Sequence, residues 1–109
     1  MSIPLAWTRA DVSPIAAIEV YPAATLVAHR IRSTGYKKPD QTEQRREIVE
    51  ALRTKLTIGE SVPDLAISAD LVDAAVCVLA GADFISGRAM GPEDRSLAER
   101  EDWIWTAAP

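Results

Sequence analysis

The sequence holds one cysteine and one histidine, Cys77 and His29. A lone cysteine excludes an intramolecular disulfide, and a single Cys with a single His excludes a Cys/His zinc site, so a reducing, cytoplasmic location is the expectation. Long apolar runs are missing as well: no stretch reaches the roughly 18 residues of a membrane span, so no membrane partner is expected. The first fourteen residues carry Pro4, Arg9 and Asp11 where a signal peptide needs an apolar core. Cationic excess is lacking: 12 Lys+Arg against 16 Asp+Glu leave a net charge of −4, which argues against coating nucleic acid through bulk charge and leaves only local basic patches. There is no repeat or low-complexity tract. What is there is 109 residues, 48% hydrophobic and 26% charged, the composition of one folded domain with one core.

Residues 1–14 read as an irregular N-terminal arm. Ile15-Ala16-Ala17-Ile18-Glu19-Val20-Tyr21 is nearly continuously apolar and stops at Pro22, as does a strand covered on both faces in the parallel part of an α/β sheet. Pro22 opens a helix whose Ala24, Val27, Ala28 and Ile31 recur at helical spacing as far as Gly35. Tyr36-Lys37-Lys38-Pro39 is a polar link, and Asp40 with Glu43 resembles a capping pair for a second helix striped by Ile48, Val49, Leu52 and Leu56 and ended by Gly59 and Pro63. Ser68 suits the N-cap of a third helix reaching to about Gly87, with Val72, Ala75, Val76, Leu79 and Ala80 as its stripe. The charged run Asp94 to Asp102 reads as helix, and Trp103-Ile104-Trp105 as a short terminal strand or docked tail. The expected fold class is therefore α/β: one central strand, about three helices and a short C-terminal strand.

Three carboxylates stand out. Glu19 is the one charge inside the apolar strand, at its carboxyl end, where open α/β sheets bind ligands. Buried and ionised, it needs a metal, an arginine or backbone donors; the plainer reading has a shorter strand with Glu19 solvated or capping the helix at Pro22. Asp70 and Asp73 are three apart in the first turns of the third helix and share a face. The helix dipole explains Asp70 without any function, and explains Asp73 less well, because Asp73 lies in the second turn beside the apolar stripe. Together Glu19, Asp70 and Asp73 form the oxygen-only set that magnesium or manganese prefers, and pairs of such ions drive phosphodiester cleavage.

Arg30, Arg32, Lys37 and Lys38 cluster after the first helix as candidate phosphate contacts, with Tyr36 as a stacking face for nucleic acid. The plainer reading is a solvated helix end whose cations complement the dipole. His29 reads as surface, Cys77 as a small core residue, and Trp7 as cover for an exposed edge or a neighbouring subunit.

At these residues the chain resembles a known family. Ile18-Glu19-Val20-Tyr21-Pro22-Ala23-Ala24, Tyr36-Lys37 with Arg45 and Arg46, Asp70-Leu71-Val72-Asp73-Ala74-Ala75, and Ala98-Glu99-Arg100-Glu101-Asp102-Trp103-Ile104-Trp105 follow the motif order of the DUF429 family, uncharacterised proteins grouped with predicted nucleases of ribonuclease H-like fold. The resemblance implies that residues 15–109 are the C-terminal half of such a domain. It also implies that Glu19, Asp70 and Asp73 match metal-ligand and catalytic places for magnesium or manganese. Asp102 stands where that family usually has glycine. Nothing before Ile15 matches the aspartate-bearing first strand, so the chain reads as a truncation, a split-gene product or a short homologue.

A strand left without that neighbour exposes an apolar edge, and such edges invite pairing. The sequence thus supports two readings. One is a metal-dependent nuclease, active if completed by its missing half, or an inactive fragment of one. The other is a non-catalytic interaction module that forms a homo-oligomer or pairs with a partner chain completing the sheet.

Overall fold

A computed structural model describes residues 3–11, 15–59 and 64–109. Among these, half the residues are helical, 6% lie in isolated bridges and none belongs to a sheet. The expected α/β architecture, a partial ribonuclease H-like fold around a central strand, is overturned by this arrangement of four α-helices.

The reason lies in the backbone of the apolar segment. Residues 15–20 are extended, but they meet each neighbour at a single point, Leu5 beside Ala17 and Glu19 beside Ile104, both parallel. On one side Ala6 N–H donates to Ala17 C=O (2.7 Å) and Ala17 N–H to Pro4 C=O (2.8 Å). Pairing then stops, because Pro4 has no N–H to give and Trp7 turns its own N–H to the Asp11 carboxylate at 2.7 Å. Asp11 also accepts from the Thr8 N–H (2.9 Å), and the Trp7 N–H is the leading cause that holds its carboxyl below the usual range. On the other side Trp105 N–H donates to Glu19 C=O at 2.9 Å. Three extended segments therefore lie side by side without forming a ladder.

The helices follow the sequence more closely. Helix α1, Pro22–Ala28, starts on its proline but ends well before Gly35. Arg30 takes a left-handed φ of 59°, and the N–H groups of Arg30 and Ile31 turn back to the carbonyls of Val27 (3.0 Å) and Leu26 (2.9 Å), which closes the last turn. Helix α2, Thr42–Arg53, buries Ile48, Val49 and Leu52, but Asp40 does not cap it; Gln41 occupies that place, and its side chain accepts from the Lys38 N–H at 3.0 Å. Helix α3, Ala69–Ser86, begins as expected with Ser68 Oγ accepting from the Leu71 N–H at 3.1 Å. It ends at Gly87, whose φ of 82° lets Arg88 N–H reach Asp83 C=O at 2.8 Å. Helix α4, Arg95–Glu101, is capped by the Asp94 carboxylate on Leu97 N–H (3.0 Å). Pro63 lies outside the described residues.

Two apolar clusters result. The larger joins α1, α2, α3 and the short turn Leu65–Ile67 through Leu26, Tyr36, Ile48, Leu52, Leu65, Val72, Val76 and Leu79. The smaller joins the far end of α3 to the extended segments through Ala6, Phe84 and Trp105, whose rings meet edge to face at 4.7 Å and 79°. Trp105 anchors the tail, and Trp103 Nε1–H donates to Met90 C=O at 3.0 Å. No helix of the described residues is long and apolar enough to cross a membrane.

One residue is held against its preference. Asp102, which ends α4, has φ 73° and ψ 166°, a region that essentially only glycine occupies without strain. Asp102→Gly is expected to stabilise the chain by about 1 kcal/mol, the released strain less the entropy that glycine adds to the unfolded state. Urea unfolding of the two proteins side by side measures it.

Candidate functional site

Of the polar residues singled out by the sequence, Tyr36 and Lys37 meet Asp73, on the second turn of α3. Its two carboxylate oxygens have separate partners: Oδ1 accepts from the Tyr36 hydroxyl at 2.7 Å, and Oδ2 pairs with the Lys37 ammonium. The ammonium also stands 4.9 Å from the centre of the Tyr36 ring, a cation–π contact. Tyr36 itself is 1% exposed and packs in the larger core, so its ring is held inside and offers no open stacking face.

The loop carrying Tyr36 and Lys37 is fixed by Arg45, a guanidinium 2% exposed on the inner face of α2. Nε donates to Ala66 C=O at 2.7 Å. Nη1 donates to the carbonyls of Tyr36 (3.1 Å) and Lys38 (2.7 Å), and Nη2 to Pro39 C=O (3.3 Å) and Thr42 Oγ1 (3.1 Å). All five N–H groups of the fork are used, and the acceptors are neutral oxygens, so the buried cation is compensated by carbonyl dipoles. Burying a charge this deeply is tolerable only with such a complete set of partners. Tyr36 and Lys37 therefore reach Asp73 from a preset loop.

Charge and burial shift the groups that face one another here. Burial first, and then the Asp73 carboxylate, push the Tyr36 phenol above its usual value. The hydrogen bond to Asp73 raises the Lys37 ammonium. Cys77, one turn beyond Asp73, is exposed and not the small core residue expected from the sequence; desolvation and then the Asp73 charge push its thiol up, so its thiolate is disfavoured.

Of the other two carboxylates, Asp70 stands about one turn before Asp73 on α3 and Glu19 lies elsewhere. Asp70 is exposed at the start of α3, and Glu19 is exposed on the extended segment beside Ile104. Glu19 belongs to the neighbourhood of Trp105 and Phe84, and Phe84 is eleven residues along α3 from Asp73, roughly 16 Å at the helical rise. Among the described residues no three of His, Cys, Asp and Glu are placed to hold one metal ion. With both Asp73 oxygens already engaged, these residues do not fit a magnesium or manganese site in this conformation. Of the basic cluster, Lys37 is committed to Asp73 and Arg32 to Glu47, while Arg30 and Lys38 are exposed.

A second polar cluster escaped the sequence reading. His29 is not the surface residue its sequence position suggests: it directs Nε2 to Asp83 Oδ2 at 2.7 Å, and Asp83 is fully buried. Arg88 Nε donates to the other oxygen at 3.2 Å. The signal was available: Asp83 continues the stripe Val72, Val76, Leu79, Ala80, a carboxylate at a core-facing position that requires a partner. Its effect is to tie the end of α1 to the end of α3.

The raised values of Tyr36 and Lys37 carry a sign. Groups whose folded values lie above their unfolded ones stabilise the fold fully below the unfolded value, near pH 10 for both, and lose that contribution as pH rises through the folded value. The contribution of these two groups should therefore be constant below about pH 10 and fall above it. In Asp73→Asn the alkaline fall should be smaller, since Asp73 is the main cause of the Lys37 shift and only the second cause for Tyr36. Urea unfolding across alkaline pH, with phenolate absorbance to follow tyrosine ionisation, measures both.

Comparison with known proteins adds one finding. The family model described as protein of unknown function (DUF429) matches residues 6–96, which takes in part of the N-terminal arm and ends before Trp103. No curated protein and no solved structure matches the chain.

Proposed function

This chain belongs to the DUF429 family, and we propose that it works by association, laying its extended layer against a second copy or a partner chain. The observation that carries this reading is the two-sidedness of that layer. Along residues 15–21 the even positions Ala16 and Ile18 pack on Ala6, Phe84 and Trp105, while Ile15 (47% exposed), Glu19 and Tyr21 face outward. The bridges carry the outward face sideways: Leu5 (41% exposed) lies beside Ala17, and Ile104 (48%) beside Glu19. Ile3, two residues before Leu5, is also exposed (48%). An apolar face spread over three neighbouring segments, with one charge in it, is the kind of surface that proteins bury against another chain.

A second reading is magnesium- or manganese-dependent phosphodiester hydrolysis, supported by the family resemblance and by the half-buried Asp73 carboxylate beside the exposed Lys37 ammonium. In this reading Glu19, Asp70 and Asp73 are the metal ligands, and Arg30, Arg32 and Lys38 are contacts for a nucleic acid backbone. The described residues do not bring Glu19 to Asp70 and Asp73, so no metal-dependent step follows from this chain's geometry; the reading requires a rearrangement of Asp73 away from Lys37 or ligands from an associated chain.

Two measurements separate the readings. Light scattering of the chain at high concentration is expected to give a dimer or larger species, with Leu5→Lys or Ile15→Lys each weakening it by at least about tenfold, the loss of one buried aliphatic side chain. A clean monomer of the unsubstituted chain refutes association through this face. Calorimetric titration with manganese is expected to show no binding that depends on Asp73; binding present in the chain and absent from Asp73→Asn establishes the metal-dependent reading instead.

A further inference from the structure

A cavity of about 570 Å³ opens beside α4, bounded on one side by Trp103 at the edge of the extended layer. It is lined by Met90 (44% exposed), Leu97 (41%) and the half-buried indole of Trp103, together with the carboxylate residues Glu93, Glu101 and Asp102. Asp94 lines it too, but its carboxylate is spent on the Leu97 N–H. No lysine or arginine lines the cavity, and Arg95 at the start of α4 is engaged by Glu99 and Asp11. Apolar side chains, an aromatic ring and uncompensated negative charge thus share one concavity.

The combination selects a ligand by elimination. An anion is repelled. A neutral apolar molecule would cover the carboxylates without compensating them, at a desolvation cost. A bare metal ion needs converging ligands, and no three such residues converge among those described. What satisfies every wall is an organic cation, whose apolar body lies on Met90 and Leu97 while its charge meets the carboxylates and the ring of Trp103. The concavity is open to solvent, with a volume in the range of small-molecule sites. We propose that this cavity is a binding site for a small organic cation, an ammonium or guanidinium group on an apolar body.

The test follows the Trp103 indole N–H, tied to Met90 C=O at the cavity wall, by two-dimensional NMR of the full chain during titration with benzyltrimethylammonium. The expected result is a saturable shift of that signal that weakens with added salt. Binding should be about fivefold weaker in Asp102→Gly and in Glu101→Gln. Asp102→Gly is the informative variant, because it removes a carboxylate and relieves backbone strain together, so weaker binding in it cannot come from a poorer fold. The proposal is overturned if no shift saturates, if benzyl alcohol produces the same shift, if tetramethylammonium binds as well as the benzyl compound, or if neither substitution changes the affinity.

Discussion

Helix α3 carries one apolar stripe and must bury it against two different partners, and this constraint organises the chain. Its first half, through Val72, Val76 and Leu79, is covered by α1, α2 and the turn at Leu65; its last turns, through Phe84, are covered by Trp105 and Ala6 from the two ends of the chain. Polar clusters mark the same helix at both ends. Asp73 receives the loop at Tyr36 and Lys37, and Asp83 receives His29 and Arg88. Each carboxylate fixes a connection that apolar contact alone would leave free to slide.

Two buried or half-buried charges show how polar groups are accommodated. Arg45 has no acidic partner and is made tolerable by five neutral acceptors, three of them the carbonyls of Tyr36, Lys38 and Pro39 in the loop it clamps. Asp73 needs no metal because a lysine ammonium and a phenol already satisfy its oxygens. The same preset loop that makes the Asp73 cluster well defined is what keeps it from being an empty ligand set. The family relationship is shown by residues 6–96, yet the geometry of this chain points first to the outward apolar face and only then to chemistry at Asp73.

Much of the helical pattern was legible in the sequence because it is local. Pro22 at the first turn of α1, the Ser68 cap, the stripe of α3 and its stop at Gly87 all follow from interactions within a few residues. The end of α1 was misread because Arg30, a non-glycine residue, adopts the left-handed conformation that closes the helix. The strand at residues 15–21 was misread for a different reason. An apolar run marks extended backbone able to pair, but a sheet also needs neighbours whose N–H and C=O groups match it in sequence, and here Pro4 and the Trp7–Asp11 contact end the match after one bridge.

By itself the sequence determined the helices, the exclusion of disulfides and zinc, and the types of residue able to carry charge and chemistry, since composition and short-range periodicity dictate these. Only the tertiary structure decided which of them meet: Asp73 with Lys37 and Tyr36 and not with Glu19, His29 with a buried Asp83, and one face of the extended layer covered while the other is bare. The physical reason is separation along the chain. Contacts across 36 or 54 residues depend on how the helices pack, and packing is settled by the whole set of buried side chains at once.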